Sequence, residues 1–466
     1  MNIGFDNAIA FVMIFGILVF LHELGHFMVA KYAGIRVEVF SLGFGPRLVG
    51  WRSGGTDYRI SLVPLGGYVK MLGEESEMEL VADSRDASPE AATIPSAAEP
   101  PSDAFTSKTR WQRFLVMLAG GVMNLILAVL ILAGVNMAGR EEAAFLNEPP
   151  RLSGPVEGSP AGAAGLVRGD MVVAVDGAPI AGWEGLQQAV LFNPGRTLTF
   201  SVEREGERLH IPVNVTLPPD ELPQARYRIG YAGLGTPAYD VRIWGVSAGS
   251  PAERAGLQKG DFLLAIAGQT VLSKEDVAAL ISARPGEETL IKVRRGDAIL
   301  EVQATPEDRE GQGLLGVDTG PELRLREYSA GEALKASVTQ NIERVGMFFT
   351  VLGKLLTGGL SVRAISGPVD IFIFSGAALR SGWIPYLDLM ALFSLQLGVL
   401  NLLPVPFLDG GHIAVLGIEG ILRRDLSLRI KERILQVGFV GLILLMGLVL
   451  YSDIAKNFDL FTGIFK

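Results

Sequence analysis

Long apolar runs stand near both ends of the chain, and a polar, alternating pattern fills the space between them. Residues 8–30 are apolar apart from His22, Glu23 and His26, a length that spans a bilayer as a helix. Similar runs follow at about Phe114–Ala138, Ile384–Leu403 and Ile434–Tyr451. The residues from Lys31 to Gly73 carry six basic side chains (Lys31, Arg36, Arg47, Arg52, Arg59, Lys70) against Glu38 and Asp57. Lys108, Arg110 and Arg113 precede the second run, and Arg423, Arg424, Arg429, Lys431 and Arg433 precede the last. Basic flanks lie on the cytoplasmic side, so the pattern predicts a polytopic α-helical membrane protein with about four transmembrane helices, its centre and C-terminus outside.

Between the spans the period changes. Ile35, Val37 and Val39 alternate, as do Ile60 and Leu62, and G-F-G-P at 43–46 and P-L-G-G at 64–67 supply turns, which predicts a small sheet at the membrane surface. Residues 74–107 are acidic and rich in Ala, Ser and Pro, a composition that predicts a disordered loop. Residues 146–307 hold an internal repeat. S-P-A-G-A-A-G-L-V-R-G-D at 159–170 recurs as S-P-A-E-R-A-G-L-Q-K-G-D at 250–261, and each copy continues into an alternating strand (Met171–Val175; Phe262–Ile266). Two copies of one soluble domain are expected, at 146–217 and 230–307. Val345–Leu356 is apolar but short and broken by Lys354, so 326–382 is read as an amphipathic or re-entrant linker. The regions on either side are 1–73, first span plus sheet; 108–140, second span; and 383–466, third and fourth spans.

The chain has no cysteine, which removes disulfides, thiolate ligands and a cysteine nucleophile, and its net charge of -9 does not favour nucleic acid. Two of its four histidines interrupt the first span. On a helix His22 and His26 fall about 40° apart, with Glu23 about 60° from His26, so the three face one point. H-E-x-x-H at this spacing holds zinc through its imidazoles, with the Glu as general base toward water. His22 lies nine residues before Lys31, roughly 13 Å along the helix, inside the bilayer. A catalytic zinc needs three protein ligands. Pro404 and Pro406 break the third span in N-L-L-P-V-P-F-L-D-G-G-H at 401–412 and expose Asp409 and His412 as candidates, of which Asp409 is preferred because a carboxylate with two histidines is an established catalytic set. Asn401 either donates to a substrate carbonyl or satisfies the broken backbone. Gly120, Gly121 and Asn124 either allow close helix packing or set a polar group near the zinc. A membrane scaffold and a metal transporter are the readings from other classes.

H-E-L-G-H in the first span, the paired repeat and N-L-L-P-V-P-F-L-D-G together resemble the site-2 protease family of intramembrane zinc metalloproteases, in its bacterial regulator-of-sigma-E branch. The repeats resemble circularly permuted PDZ domains, soluble α+β modules that bind peptides by strand addition. The resemblance implies Zn2+ held by His22, His26 and Asp409, Glu23 as base, and Asn401 in contact with substrate. It implies a membrane-associated β-loop at 36–70 that holds substrate extended. It also implies a bacterial inner-membrane location with the PDZ pair in the periplasm and the active site near the cytoplasmic side. Expected substrates are single-span membrane proteins of anti-sigma-factor type, trimmed outside first by a site-1 type protease, and remnant signal peptides.

Overall fold

A computed structural model of the chain describes residues 5–73 and 101–457. The chain divides into two compact units, one of Met1–Ala138, Tyr328–Thr350 and Ile365–Lys466, the other of Gly139–Glu327 and Val351–Ala364.

The first unit is helical. Helix α1, Phe5–Tyr32, is apolar on all faces, with Asp6 in its first turn and Lys31 in its last, each complementing the helix dipole. Its buried positions, Asn7, Ala10, Ile14, Leu18, His22, Gly25, His26 and Ala30, recur at spacings of three and four, so the histidines lie on the inward stripe. A two-stranded hairpin follows, β1 (Val37–Ser53) and β2 (Thr56–Met71). It curls on itself: Val39–Leu42 pair with Asp57–Ile60 on one side and with Gly67–Lys70 on the other. Phe40 and Tyr58 tie it to α1, with ring centroids 4.9 Å and 5.8 Å from Phe27. Leu48, Val49 and Trp51 remain exposed.

Of the stretch expected to be disordered, 74–100 lie outside the described residues, but 101–107 are fixed. Arg36 N donates to Asp103 O, Phe105 N donates to Leu72 O, and Ala104 is buried. The partners are the hairpin stem, which local composition does not reveal. Helix α2, Arg110–Met137, begins at a Thr109–Gln112 capping box.

Helix α3, Ala330–Leu356, is a 27-residue helix where a short apolar segment was expected. Then come α4 (Pro368–Ser381), α5 (Trp383–Leu402), α6 (Asp409–Leu422) and α7 (Leu428–Lys456). Among the described residues five segments are long and apolar enough to cross a membrane, one more than the four expected: Phe5–Tyr32, Arg110–Met137, Val362–Ser381, Trp383–Leu402 and Arg429–Lys456. The addition falls in the expected linker. Hydropathy there sits in P-V-D-I-F-I-F-S-G-A-A-L, beyond the 345–356 run on which the linker reading rested. The 14 residues of α4 measure about 21 Å against a hydrocarbon core of about 30 Å. Its start is pinned to the end of α7 by a fully buried ionic cluster. Lys456 Nζ donates to Asp370 Oδ2 (2.7 Å) and Ile365 O (2.8 Å), and Asp453 Oδ2 accepts from Val369 N (2.7 Å).

The second unit holds the two repeats, each an open antiparallel sheet with short helices. In the first, strands β3 (Met171–Val175), β4 (Thr197–Arg204) and β5 (Glu207–Asn214) lie side by side, with Ala178–Pro179 on the outer edge of β3. In the second, the order is β9 (Ala298–Ala304), β8 (Thr289–Arg295), β7 (Phe262–Ile266), β6 (Val241–Val246) and β10 (Val317–Pro321). Separate cores fill them, around Leu152, Leu186 and Phe200 in one and Ile243, Leu263 and Ile291 in the other. The repeat extends to side-chain bonds. Asp170 accepts from Arg204 Nε at 2.7 Å while Arg204 Nη2 reaches Gly165 O; Asp261, Arg295 and Gly256 repeat this 91 residues later at the same distances. Arg168 joins the copies through both carboxylate oxygens of Asp276, at 2.9 Å and 2.8 Å.

Candidate metal centre

Three helices and one helix break converge on the inward stripe of α1. At Gly25 the stripe meets α2 so closely that a Cβ would stand 2.5 Å from Ala119 O, so glycine is what lets the backbones approach. Opposite the histidines α2 presents Val116, Gly120 and Asn124, four residues apart on one face. His26 Nδ1–H donates to Val116 O at 2.7 Å, which leaves the Nε2 lone pair free. Asn124 Nδ2 lies 3.3 Å from His22 Nδ1. Gly120 makes the room: a Cβ there would be 2.2 Å from His26 Nε2 and 2.8 Å from His22 Nε2. On its other side α2 packs on α5 through Gly121 and Gly398, whose Cβ atoms would each come within 3 Å of the facing helix.

The prolines open the chain after α5 as their geometry requires. Leu403 is extended (ψ 146°), Phe407 takes φ 82°, and α6 starts at Asp409. Gly410 and Gly411 let the chain fold back on the break, since Cβ atoms there would lie 2.1 Å from Leu403 O and 2.4 Å from Val405 O. This tight return aims Asp409 at the histidines. Its Oδ2 is 3.2 Å from His22 Nε2 and 3.3 Å from His26 Nε2, and the two Nε2 atoms are 3.2 Å apart.

The donor set fits a divalent cation. With His26 protonated on Nδ1, lone pairs converge from His26 Nε2 and the carboxylate, and Asp409 Oδ2 is a buried atom with no hydrogen-bond donor. Three acceptors so close are stable only around a cation. Their separations match the edge of a tetrahedron with bonds of 2.0–2.1 Å, about 3.3 Å. Among the described residues His22, His26 and Asp409 form the one such group; His412, the competitor from sequence, is not part of it.

Glu23 sits at the rim, its carboxylate accepting from the Val69 backbone and its Cγ 3.3 Å from where a Gly67 Cβ would be. Asn401 Nδ2, at the end of α5, is 3.5 Å from both ring nitrogens of His22. Sequence reasoning named these residues, and named Gly120 and Asn124 as packing or placing a polar group near the zinc, but missed the Val116 carbonyl. The only available signal was the spacing of Gly120 and Asn124 on a helix.

The sequence model of peptidase family M50 matches residues 10–445. The chain is similar to the regulator of sigma-E protease RseP of Salmonella typhimurium strain 14028s, at 31% identity over 470 residues covering 97% of this chain and 98% of that one. It is equally similar to the protein of that name from Escherichia coli K12, 31% over 467 residues and 96% and 98% of the two chains. A putative zinc metalloprotease of Vibrio cholerae gives 31% over 470 residues, 97% and 98%. Among solved structures, the PDZ domain of an SdrC-like protein from Listeria monocytogenes aligns with 17% of this chain and 86% of its own at 22% identity and TM-score 0.16.

Proposed function

This chain belongs to peptidase family M50 and is an intramembrane zinc metalloprotease, and we propose that it is of the regulator-of-sigma-E type and cuts the transmembrane segments of single-span membrane proteins. The observation that carries the reading is the meeting of His22, His26 and Asp409, nearly 400 residues apart in sequence, between helices apolar enough for a bilayer.

His22 and His26 Nε2 and Asp409 Oδ2 would hold the zinc. When bound, zinc supplies a Lewis acid that polarises a peptide carbonyl and acidifies water. Glu23 takes the proton of the attacking water and delivers it to the leaving amine. Asn401 Nδ2, beside His22, donates to the substrate carbonyl. A peptide bond within a helix is sterically masked, so the substrate must be extended before attack. The β2 backbone around Gly67, next to Glu23, lies where an extended segment could pair with it. Substrates of anti-sigma-factor type, shortened outside by a site-1 type protease, and remnant signal peptides fit such a site. We assign the chain to a bacterial inner membrane. The repeats act as periplasmic PDZ domains that sense or size the substrate, and the metal lies near the cytoplasmic face.

The test is cleavage of a reconstituted single-span substrate by detergent-purified protein. Glu23→Gln retains stoichiometric zinc and loses cleavage by about 10²-fold or more. Chelator abolishes cleavage by wild type. Turnover surviving in Glu23→Gln sinks the role given to Glu23; turnover surviving complete zinc removal sinks the mechanism.

A further inference from the structure

We infer that Asn124 is a positioning residue of the metal centre, holding His22 as the Nδ1–H tautomer that turns its Nε2 lone pair toward the metal. The inference rests on zinc being bound by His22, His26 and Asp409. A neutral imidazole carries one proton, so a ring that offers Nε2 to a cation must bear the proton on Nδ1 and needs an acceptor there. His26 finds one in Val116 O. Two turns further along the same face of α2, Asn124 is fully buried with its amide 3.3 Å from His22 Nδ1. Its Oδ1 has no hydrogen-bond partner.

A carboxamide exchanges its oxygen and nitrogen by a 180° turn, which sets Oδ1 against His22 Nδ1–H at hydrogen-bond distance and gives the buried oxygen its donor. Asn401 does not compete for this role, because its Nδ2 stands at 3.5 Å from both ring nitrogens and favours neither. The backbone of Asn124 is itself held from the far side, where Ser394 Oγ of α5 donates to Asn124 O at 2.8 Å. One helix thus orients both imidazoles, with a backbone carbonyl for one and a side-chain amide for the other, and Gly120 between them leaves the nitrogens room.

The experiment measures zinc affinity by chelator competition on the full-length, detergent-purified protein, with wild type, Asn124→Leu and Asn124→Asp. Loss of an outer-shell partner weakens metal binding by about 10- to 100-fold. Asn124→Leu should show that loss, whereas Asn124→Asp keeps an acceptor at the same place and should retain wild-type affinity. Nitrogen-15 NMR of histidine-labelled, zinc-loaded protein reads which ring nitrogen carries the proton, with only four histidines to assign. His22 should be protonated on Nδ1 in wild type and lose that preference in Asn124→Leu. Wild-type affinity in Asn124→Leu, equal losses in both variants, or a wild-type His22 protonated on Nε2 would each overturn the inference. If Asn124→Leu does not fold, the wild-type tautomer decides alone. Zinc binding that survives His22→Ala undiminished would instead overturn the metal-centre reading.

Discussion

Replacing Gly120 with alanine should separate the stability of the helix bundle from the integrity of its metal site, because helix propensity offsets part of the methyl group's packing cost while nothing offsets the displacement of the ligands. The new Cβ would lie 2.2 Å from His26 Nε2, 2.7 Å from His22 Cε1 and 2.8 Å from His22 Nε2. Ordinary contact begins near 3.4 Å, so the nearest ring must retreat by about 1.2 Å. Metal–ligand distances tolerate about 0.2 Å. A displacement of about 1 Å in a reacting geometry costs on the order of 10²-fold, or about 2.7 kcal/mol of transition-state stabilisation. The same change gains about 1 kcal/mol of helix propensity over glycine against an overpacking cost of about 1–3 kcal/mol. We therefore expect Gly120→Ala to destabilise the metal-free protein by no more than about 2 kcal/mol while zinc affinity and kcat/KM fall by at least about 10²-fold. The control is Gly134→Ala in the same helix, where a Cβ meets nothing within 4 Å and both zinc binding and cleavage should be unchanged. Zinc content and turnover are measured side by side on each variant. A Gly120→Ala protein with wild-type zinc affinity would refute the close approach of α2 to the imidazoles.

The two repeats carry a pH dependence. Burial raises the Asp261 and Asp276 carboxyls, but hydrogen bonds from Arg295 and Gln258 N to the first, and from Arg168, Leu272 N and Ser273 N to the second, outweigh it and hold both below the ordinary value. Because the unfolded chain takes up these protons at a higher pH, their stabilisation is complete above about pH 4 and is lost as pH falls through the folded values. Unfolding of the repeats in the full-length protein, followed from pH 7 to pH 2, should flatten in this range in Asp261→Asn, and an unaltered slope would refute the assignment. Lys456→Met leaves Asp370 and Asp453 buried without their cation and should cost about 3–5 kcal/mol in equilibrium unfolding, recovered in part by Asp370→Leu in the same chain. A loss under 1 kcal/mol would mean that the cluster does not hold α4 to α7.

Much of this protein is written in local pattern. A run of apolar residues long enough for a bilayer has one low-energy conformation there, so α1, α2, α5 and α7 are legible from hydropathy alone, and H-E-x-x-H places two imidazoles on one side of a helix by its spacing. The repeat at an offset of 91 residues likewise follows from the letters, because the same sequence makes the same turn, cap and strand. The sequence also named Asp409, since paired prolines force a helix open beside it and a carboxylate completes two histidines as a catalytic ligand set.

What the letters could not supply were distances between segments. The fifth apolar segment is local hydropathy, but its charged Asp370 is buried against Lys456, a residue 86 positions away. The ordering of 101–107 came from the hairpin stem at Arg36 and Leu72. Gly120 reads as a generic packing glycine until α1 and α2 are docked; only then does its missing side chain become the space in which two nitrogens and a carboxylate oxygen meet, 3.2–3.3 Å from one another. Residue types and their periodicity fix which groups are present and which face of an element they occupy. How close they come is set by the packing of whole helices against one another, a property of the assembled bundle and of no single segment.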